Sequence, residues 1–440
     1  MISEGNLEAP TRHPIRWRED GFYSVDKIQE EMHRIFDICH GCRRCFSLCQ
    51  AFPTLFSAID GTPSGELNDV PKKVYWKVVD QCYLCDLCYL TKCPYTPPHP
   101  FNVDFPHTML QARAVRFKQQ RTRWRDRVLT STDAVGRLAS IPVVVEFVNK
   151  ALENPLARMV LEKTWGIHAQ RKLPQYQAET FLRQAKPQTG LPIHNGPRTS
   201  GQVLVYGTCY VNYNEPNIGL DLIKILEHNN ITVEVLAKEA CCGMPKMELG
   251  DLESVERLMN INIPLLLPYV QRGYAITAAV PSCVLMFKQE LSLLFPEDER
   301  VLQVAAAFFD PFEYLMMRHS EGLLKTDFKE PVGRVSYHIP CHARVQNMGQ
   351  KTREFLELIP ESEIHTVERC SGHDGSWGVK REFFENSMKI GATVFKRMAE
   401  GDPSWIVSDC PIATRHIGQG MKETVPQSHP ITLARRAYGL

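Results

Sequence analysis

The sequence has no long hydrophobic run and no surplus of charge of either sign. Within its 440 residues no stretch reaches about eighteen consecutive apolar residues, so we expect no membrane-spanning helix. The 51 basic and 50 acidic residues balance, which argues against a general nucleic-acid-binding protein, since such proteins carry a marked basic excess. The first twenty residues contain no apolar core typical of a secretion signal, so the sequence predicts a cytoplasmic location.

Glycine motifs that bind phosphates are also missing. Neither a P-loop nor the G-x-G-x-x-G pattern of dinucleotide-binding folds occurs in the chain. The sequence therefore gives no case for a nucleotide or flavin site. A flavin, if the function needs one, is expected on a partner protein.

Cysteine is the abundant exception. Eight of the fifteen cysteines lie between Cys39 and Cys93, and the other seven lie between Cys209 and Cys410. An odd count in a long chain without a secretion signal favours metal ligands or redox centres over disulfides. The distribution predicts a metal-binding domain over residues 1–107, a helical connector and linker over residues 108–198, and a third region over residues 199–440.

The N-terminal cysteines form two runs with the spacing of bacterial two-cluster ferredoxins. In that pattern three closely spaced thiolates wrap one [4Fe–4S] cluster, and the fourth cysteine of each run binds the other cluster. We therefore predict a ferredoxin-like helical domain with two such clusters. One is assigned to Cys39, Cys42, Cys45 and Cys93, and the other to Cys82, Cys85, Cys88 and Cys49.

Two departures from the ferredoxin pattern are visible. Gln50 stands where the first run usually has proline, and four residues instead of three separate Cys88 from Cys93, so the chain must bulge before Cys93. Neither change removes a ligand. Zinc and disulfides are the competing interpretations, and zinc normally takes two plus two ligands rather than two runs of four.

The C-terminal region repeats itself. Strand-like apolar runs end shortly before each cysteine, and equivalent cysteines are separated by offsets of 132, 129 and 127 residues. Three similar offsets indicate an internal duplication with halves over residues 199–330 and 331–440. Strands that alternate with helices predict parallel α/β units, in which ligands collect beyond the carboxyl ends of the strands. The overall expectation is α/β combined with a helical α+β part. For the cysteines of this region, the alternative to ligands is buried structural residues.

The motifs of this duplicated region resemble a known family. Gly207-Thr-Cys209, Cys241-Cys242-Gly243 and Pro281-Ser-Cys283 resemble the cysteine-rich CCG domain, and Cys341, Cys370 and Cys410 mark a second copy. That domain is found in heterodisulfide reductase, in the iron–sulfur subunit of glycolate oxidase and in the iron–sulfur subunit of anaerobic glycerol-3-phosphate dehydrogenase. A two-cluster domain followed by two copies is the layout of the last of these. The resemblance implies an iron–sulfur subunit of an oxidoreductase.

Neither copy carries the full cysteine set of the family. Met286 and Ala413 replace the last cysteine of the two copies, and Ser371 replaces the second adjacent cysteine of the second copy. Cys209, Cys241, Cys242 and Cys283 still offer four thiolates, enough for a third cluster. Cys341, Cys370 and Cys410 offer three, so we expect the second copy to bind a cluster weakly or not at all. A fourth ligand from His342, His373 or Asp409 remains open.

These observations favour an electron-transfer subunit. It would pass electrons between a partner dehydrogenase or oxidase and a quinone or other acceptor, using the iron of its cysteine sites. A catalytic thiol–disulfide reductase and a redox or iron sensor are the alternatives. The basic segment from Arg113 to Arg127 fits peripheral contact with the inner face of the cell membrane, releasable by salt, or contact with an acidic partner; a solvated basic helix face is the alternative.

Overall fold

The N-terminal part of the chain is helical. The computed structural model describes residue 5 and residues 8–440 except Lys92. The helices are α1 (Val25–Cys42), α2 (Ala51–Asp60), α3 (Lys72–Gln81), α4 (Leu87–Thr91) and α5 (Phe105–Lys118), with a short 3₁₀ helix at Leu67–Asp69. No strand occurs among the described residues of this part. Helix α5 continues through the predicted boundary between residues 107 and 108.

The connector is built from short helices. They are α6 (Trp124–Leu129), α7 (Thr132–Ala139), α8 (Pro142–Glu153), α9 (Pro155–Trp165) and α10 (Phe181–Gln184). Pro142 begins α8, because proline is tolerated in the first turn, where its missing N–H is not needed. Asn154 ends α8 and caps α9 by accepting hydrogen bonds from the N–H groups of Leu156 and Ala157. Pro142 therefore separates α7 from α8 within the apolar run, as the sequence indicates.

The remaining chain forms two α/β halves with one topology. The first contains β1 (Gln202–Val205), α11 (Cys209–Tyr213), α12 (Pro216–His228), β2 (Thr232–Val235), α13 (Met244–Leu249), α14 (Leu252–Gln271), β3 (Ala275–Thr277), α15 (Pro281–Leu285), a π-helical turn (Met286–Glu290), α16 (Leu291–Leu294), α17 (Glu299–Ala306), β4 (Phe308–Phe309) and α18 (Pro311–Ser320). The second contains β5 (Gly333–His338), α19 (Cys341–Arg344), α20 (Lys351–Leu356), β6 (Ser362–Val367), α21 (Phe384–Met398), β7 (Trp405–Ser408), α22 (Pro411–Gly420), β8 (Gln427–Ser428) and α23 (Pro430–Tyr438).

The two sheets confirm the predicted duplication. Their strand orders are β2-β1-β3-β4 and β6-β5-β7-β8, and all pairings are parallel. Parallel strands need crossover connections, which the intervening helices supply. The carboxyl ends of the strands in each sheet therefore lie at one edge. The two-residue strands β4 and β8 are too short for the sequence pattern to predict.

One continuous hydrophobic core joins the helical N-terminal part to the α/β halves. It includes Phe36 and Tyr75 of the helical part, Leu204 of β1 and Tyr337 of β5, all at most 2% exposed. The chain before α1 also packs on the first half, where Trp17 Nε1 donates to the carbonyl of Leu294 at 3.1 Å. Burial of large apolar side chains is the main source of stability. The positions of the N-terminal cysteines relative to both halves are thereby set.

Candidate iron–sulfur centres

Four of the N-terminal cysteines line one cavity, which we call site A. They are Cys39, Cys42, Cys45 and Cys93, and the cavity is partly open to solvent. Helix α1 delivers the first two, and Arg43 then turns the chain in a left-handed conformation with φ of 51°. These are the four residues that the sequence assigns to one cluster. Burial, and then the neighbouring Cys93 thiol, raises the pKa of Cys39 well above its usual value.

The extra residue of the second run is accommodated before Cys93. The Cys93 N–H donates to the carbonyl of Cys88 at 2.9 Å, which is a five-residue step instead of the four-residue step of an α-helix. This wide turn is the bulge that the spacing predicts. It brings Cys93 to the cavity of site A, while Cys88 lies at the neighbouring site.

Cys49, Cys82, Cys85 and Cys88 come together as site B. Burial, followed by the field of Cys82, raises the pKa of Cys49. Burial and then Cys82 raise the pKa of Cys88, and burial followed by Cys341 and Cys370, with a smaller contribution from Cys49, raises that of Cys85, so site B also adjoins these two cysteines of the second copy. Leu84 and Asp86, between these cysteines, have φ of 54° and 60°, which costs energy for residues with side chains. Such strain is typical of a loop that must curl around a ligand. Cys88 also feels the field of Cys45, so sites A and B are neighbours.

A buried ion-pair network holds the loop of site B. Arg12 donates two hydrogen bonds to the carboxylate of Asp86, the shorter at 2.8 Å, and two to the carboxylate of Asp104, the shorter at 3.1 Å. Its guanidinium also lies 3.5 Å from Glu290 of the first half. Removing one member of such a buried network is costly because it leaves the partner charge unpaired. Sequence reasoning missed Arg12, since no local pattern links it to a loop more than seventy residues away.

The first copy of the repeat gathers Cys209, Cys241, Cys242 and Cys283 as site C. Hydrogen bonds from the Cys209 and Cys242 thiols lower the pKa of Cys241 well below its usual value, and the same contacts raise the pKa values of those two neighbours. The connector closes the site. Thr132 Oγ1 of α7 donates to Cys241 Sγ at 3.4 Å, and the Asp133 carboxylate accepts from the Cys241 backbone N–H.

The second copy brings together Cys341, Cys370 and Cys410 as site D. Burial, and then the Cys370 and Cys410 thiols, raise the pKa of Cys341 well above its usual value. Cys341 begins α19, Cys370 follows β6, and Cys410 directly precedes α22. The cysteines therefore follow the strands as predicted, but two of them lie at helix starts instead of in loops. Site D adjoins the loop of site B, because Tyr83 Oη of that loop lies 2.9 Å from Cys370 Sγ.

The three candidate fourth ligands of site D differ in their contacts. His342 Nδ1 lies 2.8 Å from Ser282 Oγ of the first half, and the two Asp409 carboxylate oxygens accept from Tyr337 and Thr352. His373 Nε2 lies 3.6 Å from Cys410 Sγ, and its Nδ1 is buried without a hydrogen-bond partner. Burial, together with Arg171 and two other histidines, lowers the pKa of His373 to about 3.

The donor set fits clusters better than single ions. All fifteen cysteines are free thiols. In the described part of the chain, no three His, Cys, Asp or Glu side chains converge on a point where one metal ion would sit. The cysteine ligands of a four-iron cubane bind different irons and need not converge in that way. Soft thiolates around buried space are the ligands that iron–sulfur clusters take.

Several cations of the basic segment have partners within the chain. Lys118 pairs with Glu253 at 2.6 Å, and Arg125 pairs with Glu382 at 2.6 Å. Arg113 donates to the carbonyl of Glu248 at 2.6 Å. Because these partners lie far away in the sequence, the charge pattern alone predicts a stronger positive surface than the folded chain presents.

The connector instead exposes an apolar surface, which we call the apolar hairpin and define as α8 and α9. Val143, Phe147 and Leu156 are 85%, 76% and 73% exposed. At its edge the rings of Trp124 and Trp165 meet edge-on at 4.4 Å. Contiguous exposed apolar residues usually mark an interaction surface. None of the helices in the described residues is long and apolar enough to cross a membrane.

Comparison with known proteins agrees with the motifs. Residues 203–288 and 335–417 match the family described as CCG, Cysteine-rich domain. The chain is also similar to the subunit designated C of anaerobic glycerol-3-phosphate dehydrogenase from Escherichia coli K12. The two are 29% identical over 345 residues, which covers 77% of this chain and 83% of that protein.

Other relatives share smaller parts of the chain. The subunit designated B of fumarate reductase (CoM/CoB) from Methanothermobacter marburgensis is 26% identical over 295 residues, covering 66% of this chain and 56% of that protein. Lactate utilization protein A of Bacillus cytotoxicus is 26% identical over 215 residues, covering 48% and 87%. The predicted resemblance is therefore confirmed: the chain carries two cysteine-rich domains and is homologous to these proteins.

Proposed function

We propose that this chain, with two cysteine-rich domains and homology to an anaerobic glycerol-3-phosphate dehydrogenase subunit, is an electron-transfer subunit of an oxidoreductase complex. The observation that carries the proposal is the grouping of all fifteen cysteines into four adjacent sites, A to D. A partner dehydrogenase or oxidase would supply the electrons. Its substrate would be oxidised on that partner, since this chain has no motif for a flavin or nucleotide.

Sites A and B would each hold a [4Fe–4S] cluster through the cross-ligation that the sequence predicts. The support is that Cys93 borders the cavity of Cys39, Cys42 and Cys45, and that Cys49 lies beside the second run. Clusters bound there would supply one-electron chemistry. The protein's part is to keep the thiolates buried and to direct backbone N–H groups at them. The Leu84 N–H, for example, donates to Cys82 Sγ at 3.5 Å, and such bonds tune cluster potentials.

The order of the sites suggests a route. Site A is partly open to solvent and suits entry from the donor. Site B follows, and Tyr83 connects it to site D at Cys370. Ser282 and His342 then link the second half to the first at 2.8 Å, next to Cys283 of site C. Helix α7 covers site C and leads into the apolar hairpin. We therefore place the acceptor, a quinone or another carrier, at the end near site C.

The alternative of a thiol–disulfide reductase has one supporting observation. The pKa of Cys241 is lowered by neighbouring thiols, and a low thiol pKa favours the nucleophilic thiolate. However, Cys241, Cys242 and Cys283 are only 4%, 3% and 5% exposed. A disulfide substrate needs direct access of one sulfur to another, so burial favours a held cluster over thiol exchange at site C.

We also propose that the apolar hairpin, more than the basic segment, makes peripheral contact with a lipid surface. The support is the exposure of Val143, Phe147 and Leu156 beside a pair of tryptophans, a composition typical of interfacial helices. Because some cations of the basic segment, Lys118 and Arg125 among them, are paired within the chain, salt alone should release the protein less completely than the charge pattern predicts.

A stopped-flow experiment tests the electron-transfer function. The anaerobic full chain is reduced chemically and mixed with a water-soluble quinone, while the visible absorbance of the clusters is followed. We expect rapid reoxidation, strongly slowed in Cys49→Ser, which removes a predicted ligand of site B. The control is Ser47→Ala, an exposed position in the same loop that is not a predicted ligand. Equal rates in Cys49→Ser and the control would count against the proposed route.

A further inference from the structure

The loop that follows β6 differs at two nearby positions from its counterpart in the first copy. Aligned on Cys241 and Cys370, Ser371 replaces Cys242, the glycines Gly243 and Gly372 correspond, and His373 replaces Met244. Both glycines have the left-handed conformation, with φ of 101° and 81°. The loops therefore turn alike. The second copy has lost a thiol and gained an imidazole two residues later on the same turn.

His373 stands beside the thiols of site D. Its Nε2 lies 3.6 Å from Cys410 Sγ, and Cys410 in turn neighbours Cys341. The ring is fixed by its surroundings, since it meets His416 edge-on with centroids 6.3 Å apart. The His373 carbonyl accepts a hydrogen bond from the Gly378 N–H at 3.0 Å. These contacts fix both the backbone and the ring next to the cysteines.

One nitrogen of His373 has no hydrogen-bond partner. Nδ1 is buried and unpaired, although buried polar atoms are nearly always satisfied in folded proteins. The other two candidates are already engaged, because His342 contacts Ser282 and Asp409 accepts from two hydroxyl groups. His373 therefore offers one ring nitrogen in contact with a thiol of site D and a second, buried nitrogen without a partner, which suits a side chain that ligates a metal centre.

We propose that site D holds a [4Fe–4S] cluster through Cys341, Cys370, Cys410 and His373. Histidine in place of cysteine is a known arrangement in iron–sulfur centres, and it raises the reduction potential. Site D would then have a higher potential than an all-cysteine cluster in the same place. This goes beyond the proposed electron-transfer role, and it replaces the expectation that the second copy binds a cluster weakly or not at all.

Pulsed EPR of the reduced full chain tests the ligand directly. Protein grown with ¹⁵N-labelled histidine should show a strong nitrogen hyperfine coupling, which only a directly bound imidazole gives. The coupling should vanish in His373→Cys, while the iron content stays unchanged and the potential of that cluster falls. His373→Ala should lose up to about four irons per chain, the content of one cubane.

The matched control is His342→Asn, since His342 is a buried histidine that directly follows Cys341 and is the other histidine considered as a fourth ligand. It should keep both the iron and the nitrogen coupling. Loss of the coupling in His342→Asn but not in His373→Cys would overturn the assignment. The assignment would also be overturned if the wild-type chain showed no nitrogen coupling and held the same amount of iron as His373→Ala. Either outcome leaves the clusters of sites A and B, and thus the proposed function, intact.

Discussion

The hydrogen bond between Tyr83 and Cys370 gives a quantitative prediction. Tyr83 is 3% exposed, lies in the loop of site B and reaches Cys370 Sγ of site D at 2.9 Å. In Tyr83→Phe the ring still packs on Trp377, whose centroid is 5.2 Å away, but the hydroxyl is gone. Cys370 Sγ then keeps the Gly372 N–H, at 3.3 Å, as a donor. The substitution therefore removes one donor with little change in packing.

The magnitude follows from the energy of one hydrogen bond. A neutral hydrogen bond contributes about 0.5–1.5 kcal/mol. A donor to a cluster sulfur stabilises the more negative reduced state, so its loss lowers the midpoint potential. For a one-electron couple, where a tenfold change in the equilibrium constant is about 59 mV, this energy corresponds to about 20–60 mV. We expect the potential of the site D cluster to fall by this amount in Tyr83→Phe.

The assay is an EPR-monitored redox titration of the anaerobic full chain. The control is Tyr89→Phe, which removes the hydroxyl of a tyrosine that is 2% exposed and donates to the carbonyl of Thr11 instead of to a cysteine. Its potentials should match those of the wild type. An unchanged site D potential in Tyr83→Phe, or an equal shift in Tyr89→Phe, would refute the role of Tyr83.

Three other features of the molecule give predictions of their own. Cys49→Ser should remove the site B cluster, up to about four irons per chain, while Ser47→Ala keeps all iron; an EPR change confined to site A would contradict the cross-ligation. Phe147→Asp in the apolar hairpin should weaken cosedimentation with phospholipid vesicles, whereas Ile261→Asp, at an exposed site on α14, should not. Burial lowers the pKa of His338 to about 4, so the folded state favours the neutral ring, and stability should fall by about 3 kcal/mol as pH falls from about 6.5 to 4. In urea unfolding, the free energy of unfolding of His338→Gln should not show this fall between about pH 6.5 and 4.

The sequence can group the N-terminal cysteines because their spacing is local. Two-residue spacers place Cys39 and Cys42, or Cys82 and Cys85, next to each other whatever the rest of the fold does. The duplication likewise predicts the parallel sheets, because equivalent cysteines follow equivalent strands. The bulge before Cys93 was predictable from a single inserted residue.

Contacts between distant segments were not predictable in this way. Thr132 and Asp133 reach Cys241 from more than a hundred residues away, and Tyr83 reaches Cys370 from 287 residues away. The role of His373 also depends on which nitrogen atoms are satisfied in the folded chain. Whether a histidine nitrogen has a partner is decided by packing, and the sequence does not distinguish one loop histidine from another.

The most direct test of the account is the metal content of the full chain purified without oxygen. We predict at least about eight irons and a similar amount of acid-labile sulfide per chain, the content of two cubanes at sites A and B, rising to about sixteen when sites C and D are filled. Reduction should give the EPR signals of interacting clusters. Zinc at comparable stoichiometry, without sulfide and without an EPR signal on reduction, would contradict the central claim that this chain carries electrons on iron–sulfur clusters.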